Sequence, residues 1–202
     1  MTGGWQRGVL VAGPETSPTG SLVLKIGGSL LTLPDWPARI NDLVDDVRPR
    51  AGRVIIVVGG GPIVDGLRAI DAAAPQAAEL MHRLAIEALQ LSASLVGAAL
   101  GLPLARAPGT WAACVLDTNA WLADAGGHRN LPVGWEVTSD SIAAVVAAAH
   151  DGRLMLAKRV PPPGGLTDLA ALAQAGWIDE HFPNAACGLK SIAWAAACDD
   201  DR

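Results

Sequence analysis

The sequence predicts an α/β protein: a three-layer αβα sandwich whose central sheet is mainly parallel. Three observations carry that prediction. Short, almost wholly apolar runs such as Val54–Val58 read as strands buried on both faces. Segments with helical apolar spacing lie between them. Glycine clusters follow two of the runs directly, where a strand turns toward the next helix. In sheets of this kind ligands gather at the carboxyl ends of the strands.

The elements follow in order. Residues 1–21 are rich in Gly, Pro and Thr and are expected to form a loose lead, which leaves 22–202 as a single domain. Ser21–Ile26 reads as a strand ending in Gly27-Gly28-Ser29. Ile40, Leu43, Val44 and Val47 have helical spacing and lead to the strand Arg53–Val58, closed by Gly59-Gly60-Gly61. Pro62 suits a first helical position, and Ile63, Leu67 and Ile70 are expected to form that helix's buried face. Gln76–Leu100 reads as one long helix with Leu80, Leu84, Ala88, Leu91 and Leu95 on its buried stripe, ended by Gly101 and Pro103. Leu104–Arg106 and Ala112–Leu116 are short strands, the second entering a turn at Asp117-Thr118-Asn119. Thr138-Ser139-Asp140-Ser141 is a cluster of capping residues before the apolar helix Ile142–Ala149. The strand Leu154–Val160, a breaker at Pro161–Gly165, a helix near Asp168–Ala175 and a strand near Ser191–Ala196 complete the chain.

Composition excludes several classes. Half of the 202 residues are hydrophobic, 17% are charged and the mean hydropathy is +0.31, which describes a packed globule and not a disordered chain. The net charge is −5, without a basic run, so no nucleic-acid partner is expected. Uninterrupted apolar runs stop short of a bilayer span and the first twenty residues lack a signal-peptide pattern, so no membrane association and a cytoplasmic location are expected. Cys114, Cys187 and Cys198 form no C-x-x-C pair and suit a reducing compartment. His128, His150 and His181 lack metal-ligand spacing, and no metal site is expected.

Lys25 ends a strand beside two glycines, where exposed N–H groups meet an anion or the lysine is simply solvated. Gly59–Gly61 offers a second cradle, without the spacing of a dinucleotide fingerprint. The chain has only three lysines, Lys25, Lys158 and Lys190, against twelve arginines. That preference singles out Lys25 and Lys158 as places where a compact ammonium is required; the head of Lys25 is expected to face a cleft. Asp140 is either a helix cap or, beside Thr138, Ser139 and Ser141, part of a polar nest for lysine ammonium groups or a metal-bound phosphate. His82 lies on the polar side of the long helix, where it either contacts a substrate or is an ordinary surface or satisfied histidine.

LVLKIGGSLL, VIIVVGGGPIVDGLR and TSDSIAAVVA resemble, in order and setting, the three signature segments of the amino acid kinase family, which includes acetylglutamate, aspartate and uridylate kinases. MHRLAIEALQL, GWEVTSDSIAA and GLTDLAALAQAGWIDEHFP most resemble the branch of aminomethylfuran phosphate kinases in methanofuran and methylofuran biosynthesis. The resemblance implies transfer of the ATP γ-phosphoryl group, with Mg²⁺, to a small phosphorylated acceptor, in this branch aminomethylfuranmethyl phosphate, by a homo-oligomer. It implies that Lys25 contacts the transferring group and that Gly27, Gly28 and Ser29 line the nucleotide phosphates, with Thr138 and Ser139 nearby. Gly59, Gly60 and Gly61 would hold the acceptor, and Asp140 would orient the catalytic lysines. Where family members carry an acidic D-x-D-G segment this chain reads Ala157-Lys158-Arg159-Val160-Pro161-Pro162-Pro163, and a shortened C-terminal nucleotide half is expected. That departure supports the alternative of a non-catalytic nucleotide- or anion-binding module.

Overall fold

The computed structural model describes residues 4–13, 20–124 and 131–198. Along the chain run β1 (Trp5–Val11), β2 (Ser21–Ile26), α1 (Trp36–Val47), β3 (Arg53–Val58), α2 (Gly61–Ala73), α3 (Ala78–Leu100), β4 (Leu104–Ala105) and β5 (Ala113–Leu116). Then come α4 (Thr118–Asp124), α5 (Ser139–Ala149), β6 (Arg153–Lys158), α6 (Leu169–Gln174), α7 (Phe182–Ala185) and β7 (Ile192–Ala197). The sheet has the order β1-β7-β6-β2-β3-β5-β4. Every neighbouring pair is parallel except β1 with β7. The α/β class with a mainly parallel central sheet is therefore as expected.

Strand parity sorts the core into two layers. Leu22, Leu24 and Ile26 of β2 pack with Ile40, Leu43, Val44 and Val47 of α1 and with Ala93 and Val96 of α3. Val23 of β2 and Leu154 and Leu156 of β6 face the other side, against Ile142, Val146, Leu172 and Phe182. Lys25 and Lys158 share the parity of this second set, which aims both toward α5. The chain leaves β2 toward β3 on one side, while β6 flanks β2 on the other. That arrangement opens a crevice beyond their carboxyl ends.

Three expectations change. The lead is not loose throughout: Trp5–Val11 pairs antiparallel with β7 and covers its edge, while residues 1–3 and 14–19 lie outside the described residues. The expected turn at Asp117-Thr118-Asn119 is instead the entry to α4, with Asp117 accepting from the Ala120 N–H at 3.0 Å. The predicted stripes of α2 and α3 hold only in part: Ala88 is buried as expected, but most of the other positions are not. Ile70, Leu91 and Leu95 are 61%, 62% and 53% exposed, while Met81, Leu89, Ala93, Val96 and Gly97 form the buried face of α3. Leucine and alanine surround α3 almost completely, so spacing alone does not select the buried side. This helix is long and apolar enough to cross a membrane by length and composition, yet it packs on β3 and β5 within the sandwich.

β1 is an edge strand that shields β7, whose Trp194 ring lies directly beneath Gly8. Deleting residues 1–13 is expected to lower the melting temperature and to give time-dependent aggregation through the bared β7 edge. Circular dichroism melts and light scattering check this; an unchanged melt in a monodisperse sample would show that β1 contributes nothing to the fold.

Candidate active site

Asp140 stands in the first turn of α5, above the ends of β2 and β6, and bridges the two lysines singled out by the sequence. Its Oδ1 lies 2.8 Å from Lys25 Nζ and its Oδ2 2.8 Å from Lys158 Nζ. All three side chains are buried or nearly so. The head of Lys25 is therefore not in an open cleft as expected, because Asp140 draws it beneath α5. Lys158 also donates to the Trp177 carbonyl, and its ammonium lies 4.8 Å from the centre of the Trp177 ring. Burial pushes the Asp140 carboxyl up, but the Lys25 and Lys158 charges outweigh it and hold the group at about 2. Burial pulls Lys158 below the ordinary lysine value against the attraction of Asp140.

Asp179, which the sequence reading did not single out, fixes the turn that carries Asp140. Its carboxylate accepts from the Thr138 N–H at 3.0 Å, the Thr138 hydroxyl at 2.8 Å and the Ser141 N–H at 3.0 Å, and from the Ser141 hydroxyl. The Thr138 oxygen in turn accepts from the Asp140 N–H at 3.3 Å. Thr138 is thus engaged in capping α5, and Asp179 occupies part of the helix N-terminus that the sequence offered to an anion. Asp179 lies 38 residues beyond Ser141, and the only local hint of it was an acidic residue following an apolar Trp-Ile pair.

The two glycine loops meet at the mouth of the crevice. A Cβ on Gly28 would fall 2.1 Å from the Gly61 nitrogen, so both positions need glycine to let the backbones touch. Gly27 lies at the end of β2, where its N–H donates to Ala157 at 2.8 Å; it does not line the neighbouring cleft. Gly28, Ser29, Gly59, Gly60, Gly61, Thr138, Ser139 and His82 do line that cleft, which has a volume of about 220 Å³. The Gly134 N–H donates to His82 Nδ1 at 3.3 Å. Arg68, absent from the sequence-based candidates, enters the same cleft from α2 and stacks 5.1 Å from the centre of the Trp135 ring. Its spacing from the glycine triplet within α2 was the one signal that could have revealed it.

Lys25, Asp140 and Lys158 are not among the residues that line this cleft, but the charge they carry suits a phosphate. Two ammonium groups around one carboxylate leave net positive charge, and each ammonium has three N–H donors, so both keep donor capacity. Mg²⁺ fits less well as a protein-held ion: both oxygens of Asp140 face lysines and Asp179 is capping α5. Among the described residues no group of three or more His, Cys, Asp or Glu side chains has metal-binding geometry.

Residues 21–120 match the model of the amino acid kinase family. The chain is thus similar to that family over just under half of its length. A uridylate kinase of Methanopyrus kandleri is 29% identical over 143 residues, covering 68% of this chain. The chain spans 61% of the length of that curated relative. Among solved structures, the uridylate kinase of Archaeoglobus fulgidus aligns with a TM-score of 0.56 at 16% identity, covering 86% of this chain and 99% of that one. The UMP kinase of Ureaplasma parvum aligns at 0.59 and 15% identity, covering 91% of each. The aspartate kinase of Synechocystis aligns at 0.55 and 16% identity, over 90% of this chain and 40% of its own. These structural likenesses show a shared fold.

Two outcomes are expected. Asp179→Ala removes the cap of α5 and should cost about 2 kcal/mol; a denaturant titration measures it, and an unchanged midpoint would show that the cap does not hold α5. The acid limb of stability should follow Asp140, whose carboxyl is depressed in the folded chain from an ordinary 3.8 to about 2. The stabilisation, about 2 kcal/mol, is complete above the unfolded value and is lost as pH falls from about 4 toward 2. Melting curves over that range check the sign.

Proposed function

We propose that this chain is an ATP-dependent phosphotransferase that moves a phosphoryl group onto a small phosphorylated acceptor. The observation that carries the reading is the buried Lys25–Asp140–Lys158 cluster at the meeting point of two glycine loops. Phosphoryl transfer proceeds through a loose transition state, which requires positioned groups and positive charge more than covalent chemistry. In the proposed site Lys25 and Lys158 face the charge that develops on the transferring group, and Asp140 fixes the distance between them. Gly28 and Ser29 would hold the nucleotide phosphates, with Ser139 nearby and Gly27 only closing the end of β2; Gly59, Gly60, Gly61, His82 and Arg68 would hold the acceptor. ATP supplies the phosphoryl group, and Mg²⁺ would be carried on its phosphates. The match of residues 21–120 to the amino acid kinase family supports the kinase class, and the branch resemblance makes aminomethylfuranmethyl phosphate the proposed acceptor.

The reading includes a single catalytic domain over residues 22–202 with a shortened nucleotide half, working in the cytoplasm as a homo-oligomer. The exposed Ile63, Ile70, Leu91 and Leu95 on α2 and α3 support the last element. Asp179 at the α5 N-terminus favours a second reading, an anion-binding module without turnover.

Lys25→Met distinguishes the two. It removes one ammonium but leaves Asp140 paired with Lys158, so no buried charge is stranded. Asp140→Asn is the poorer choice, because it strips the partner from two buried ammonium groups and should cost about 3–5 kcal/mol. For Lys25→Met the expected result is a melting temperature near that of the unaltered chain and ADP release, with ATP, Mg²⁺ and acceptor, slowed about a hundredfold or more. Wild-type turnover in the variant would remove Lys25 from the mechanism. Nucleotide binding without turnover in the unaltered chain would favour the module.

A further inference from the structure

Trp177 touches the buried Lys158 without lining the cleft, and the local chain is built to put it there. Asp168 caps α6, accepting from the Ala171 N–H at 2.8 Å. Gly176 ends that helix with a φ of 68°, a conformation that favours glycine. The Gly176 N–H returns to the Ala173 carbonyl at 2.9 Å and the Trp177 N–H to the Leu172 carbonyl at 3.0 Å, a pattern that fixes the two residues following a helix. The indole is pinned at its far end as well. Trp177 Nε1 donates to the Val160 carbonyl at 3.1 Å, two residues beyond Lys158, and the whole side chain is buried.

Lys158 is therefore held from two directions. One N–H meets Asp140 Oδ2 at 2.8 Å, a second meets the Trp177 carbonyl, and the centre of the Trp177 ring lies 4.8 Å from the ammonium. Two fixed bonds keep the ammonium from turning about its Cε–Nζ bond, so the direction of its third N–H is fixed too. We propose that Trp177 is a positioning residue for phosphoryl transfer, its carbonyl setting the direction of the Lys158 ammonium and its ring face attracting the charge. The proposal rests on the phosphotransferase reading above and adds to it the group that orients the second lysine. The charged groups around Lys158 are Asp140 from α5, Lys25 from β2 and Asp179 from the segment after α6. Burial and the Lys25 charge pull the lysine below its ordinary value, while the two carboxylates oppose them. The ring acts with the carboxylates, because its negative face attracts a cation most strongly where water is excluded.

Trp177→Phe and Trp177→Leu both lose Nε1 and part of the ring's volume, and both keep the backbone carbonyl, so the difference between them reports the aromatic face. Carbon-13 labelling of lysine at Cε gives three NMR signals, for Lys25, Lys158 and Lys190, assigned with Lys25→Met and Lys190→Arg. In the unaltered chain the Lys158 ε-protons are expected upfield of those of the exposed Lys190, displaced by the ring current of Trp177, a measurement that needs no variant. Trp177→Phe should keep most of that displacement. Trp177→Leu should lose it, and its Lys158 signal should titrate about one pH unit lower than in Trp177→Phe. ADP release from ATP and Mg²⁺ with aminomethylfuranmethyl phosphate should be about tenfold slower in Trp177→Leu than in Trp177→Phe, at similar melting temperatures. A merely structural tryptophan would slow both variants alike and leave their titrations equal. Coincident ε-proton shifts for Lys158 and Lys190 in the unaltered chain, or equal turnover in the two variants, overturn the proposal and leave the phosphotransferase reading standing. No ADP release from the unaltered chain, with the Lys158 signal displaced as expected, overturns that reading, and the role of Trp177 in turnover falls with it.

Discussion

One carboxylate buried between two ammonium groups is the constraint from which the arrangement of this protein follows. Charges removed from water are costly unless paired at close range with their remaining donors and acceptors satisfied. Asp140 must therefore sit where β2 and β6 end, and the two lysines must leave those strands on the same face. Parallel pairing of β2 with β6 and the period of two along each strand meet the second requirement. Placing α5 with its first turn over that face meets the first. The cap supplied by Asp179 keeps the turn from drifting, because its carboxylate holds both Thr138 and Ser141 on either side of Asp140.

Such a cluster is poor evidence for stability, since apolar residues of similar volume often serve as well or better at buried sites. That this chain places two of its three lysines there, while twelve of its fifteen basic residues are arginine, is better explained by chemistry than by packing. A guanidinium is wide and planar and would not fit two to a carboxylate beneath a helix; an ammonium is a compact donor with bonds left over. The choice of lysine follows from the available space as much as from charge.

Much of this was legible in the sequence. The central strands were, because strands buried on both faces need continuous apolar runs, and Val54–Val58 is such a run, with no polar residue alternating through it. Lys25, Lys158 and Asp140 were legible through residue scarcity and position. β1 was not: Trp5–Val11 mixes polar and apolar residues and is defined as a strand by its partner β7, which lies at the far end of the chain. The buried sides of α2 and α3 were not either, because an apolar residue on nearly every face leaves the choice to tertiary packing. Asp179 and Arg68 escaped for a related reason, as single charged residues without a local pattern, given meaning only by what the fold brings beside them.

The cap on α5 bears on how the proposed chemistry is divided. A helix N-terminus is a ready site for a phosphate because its first N–H groups lack partners within the helix. Here the chain's own carboxylate takes those of Thr138 and Ser141, so α5 contributes Asp140 to the site more than it contributes a dipole to a ligand. Positive potential at the crevice then comes from the two lysines and from the glycine loops. The loops approach so closely that a Cβ at Gly28 would strike Gly61, which ties the position of one cradle to that of the other. On the proposed reading, donor and acceptor are held by two loops that cannot move independently, with the lysines fixed behind them by one carboxylate. The distance between the reacting groups is then set at the sheet ends themselves, by the pairing of β2 with β3 and β6.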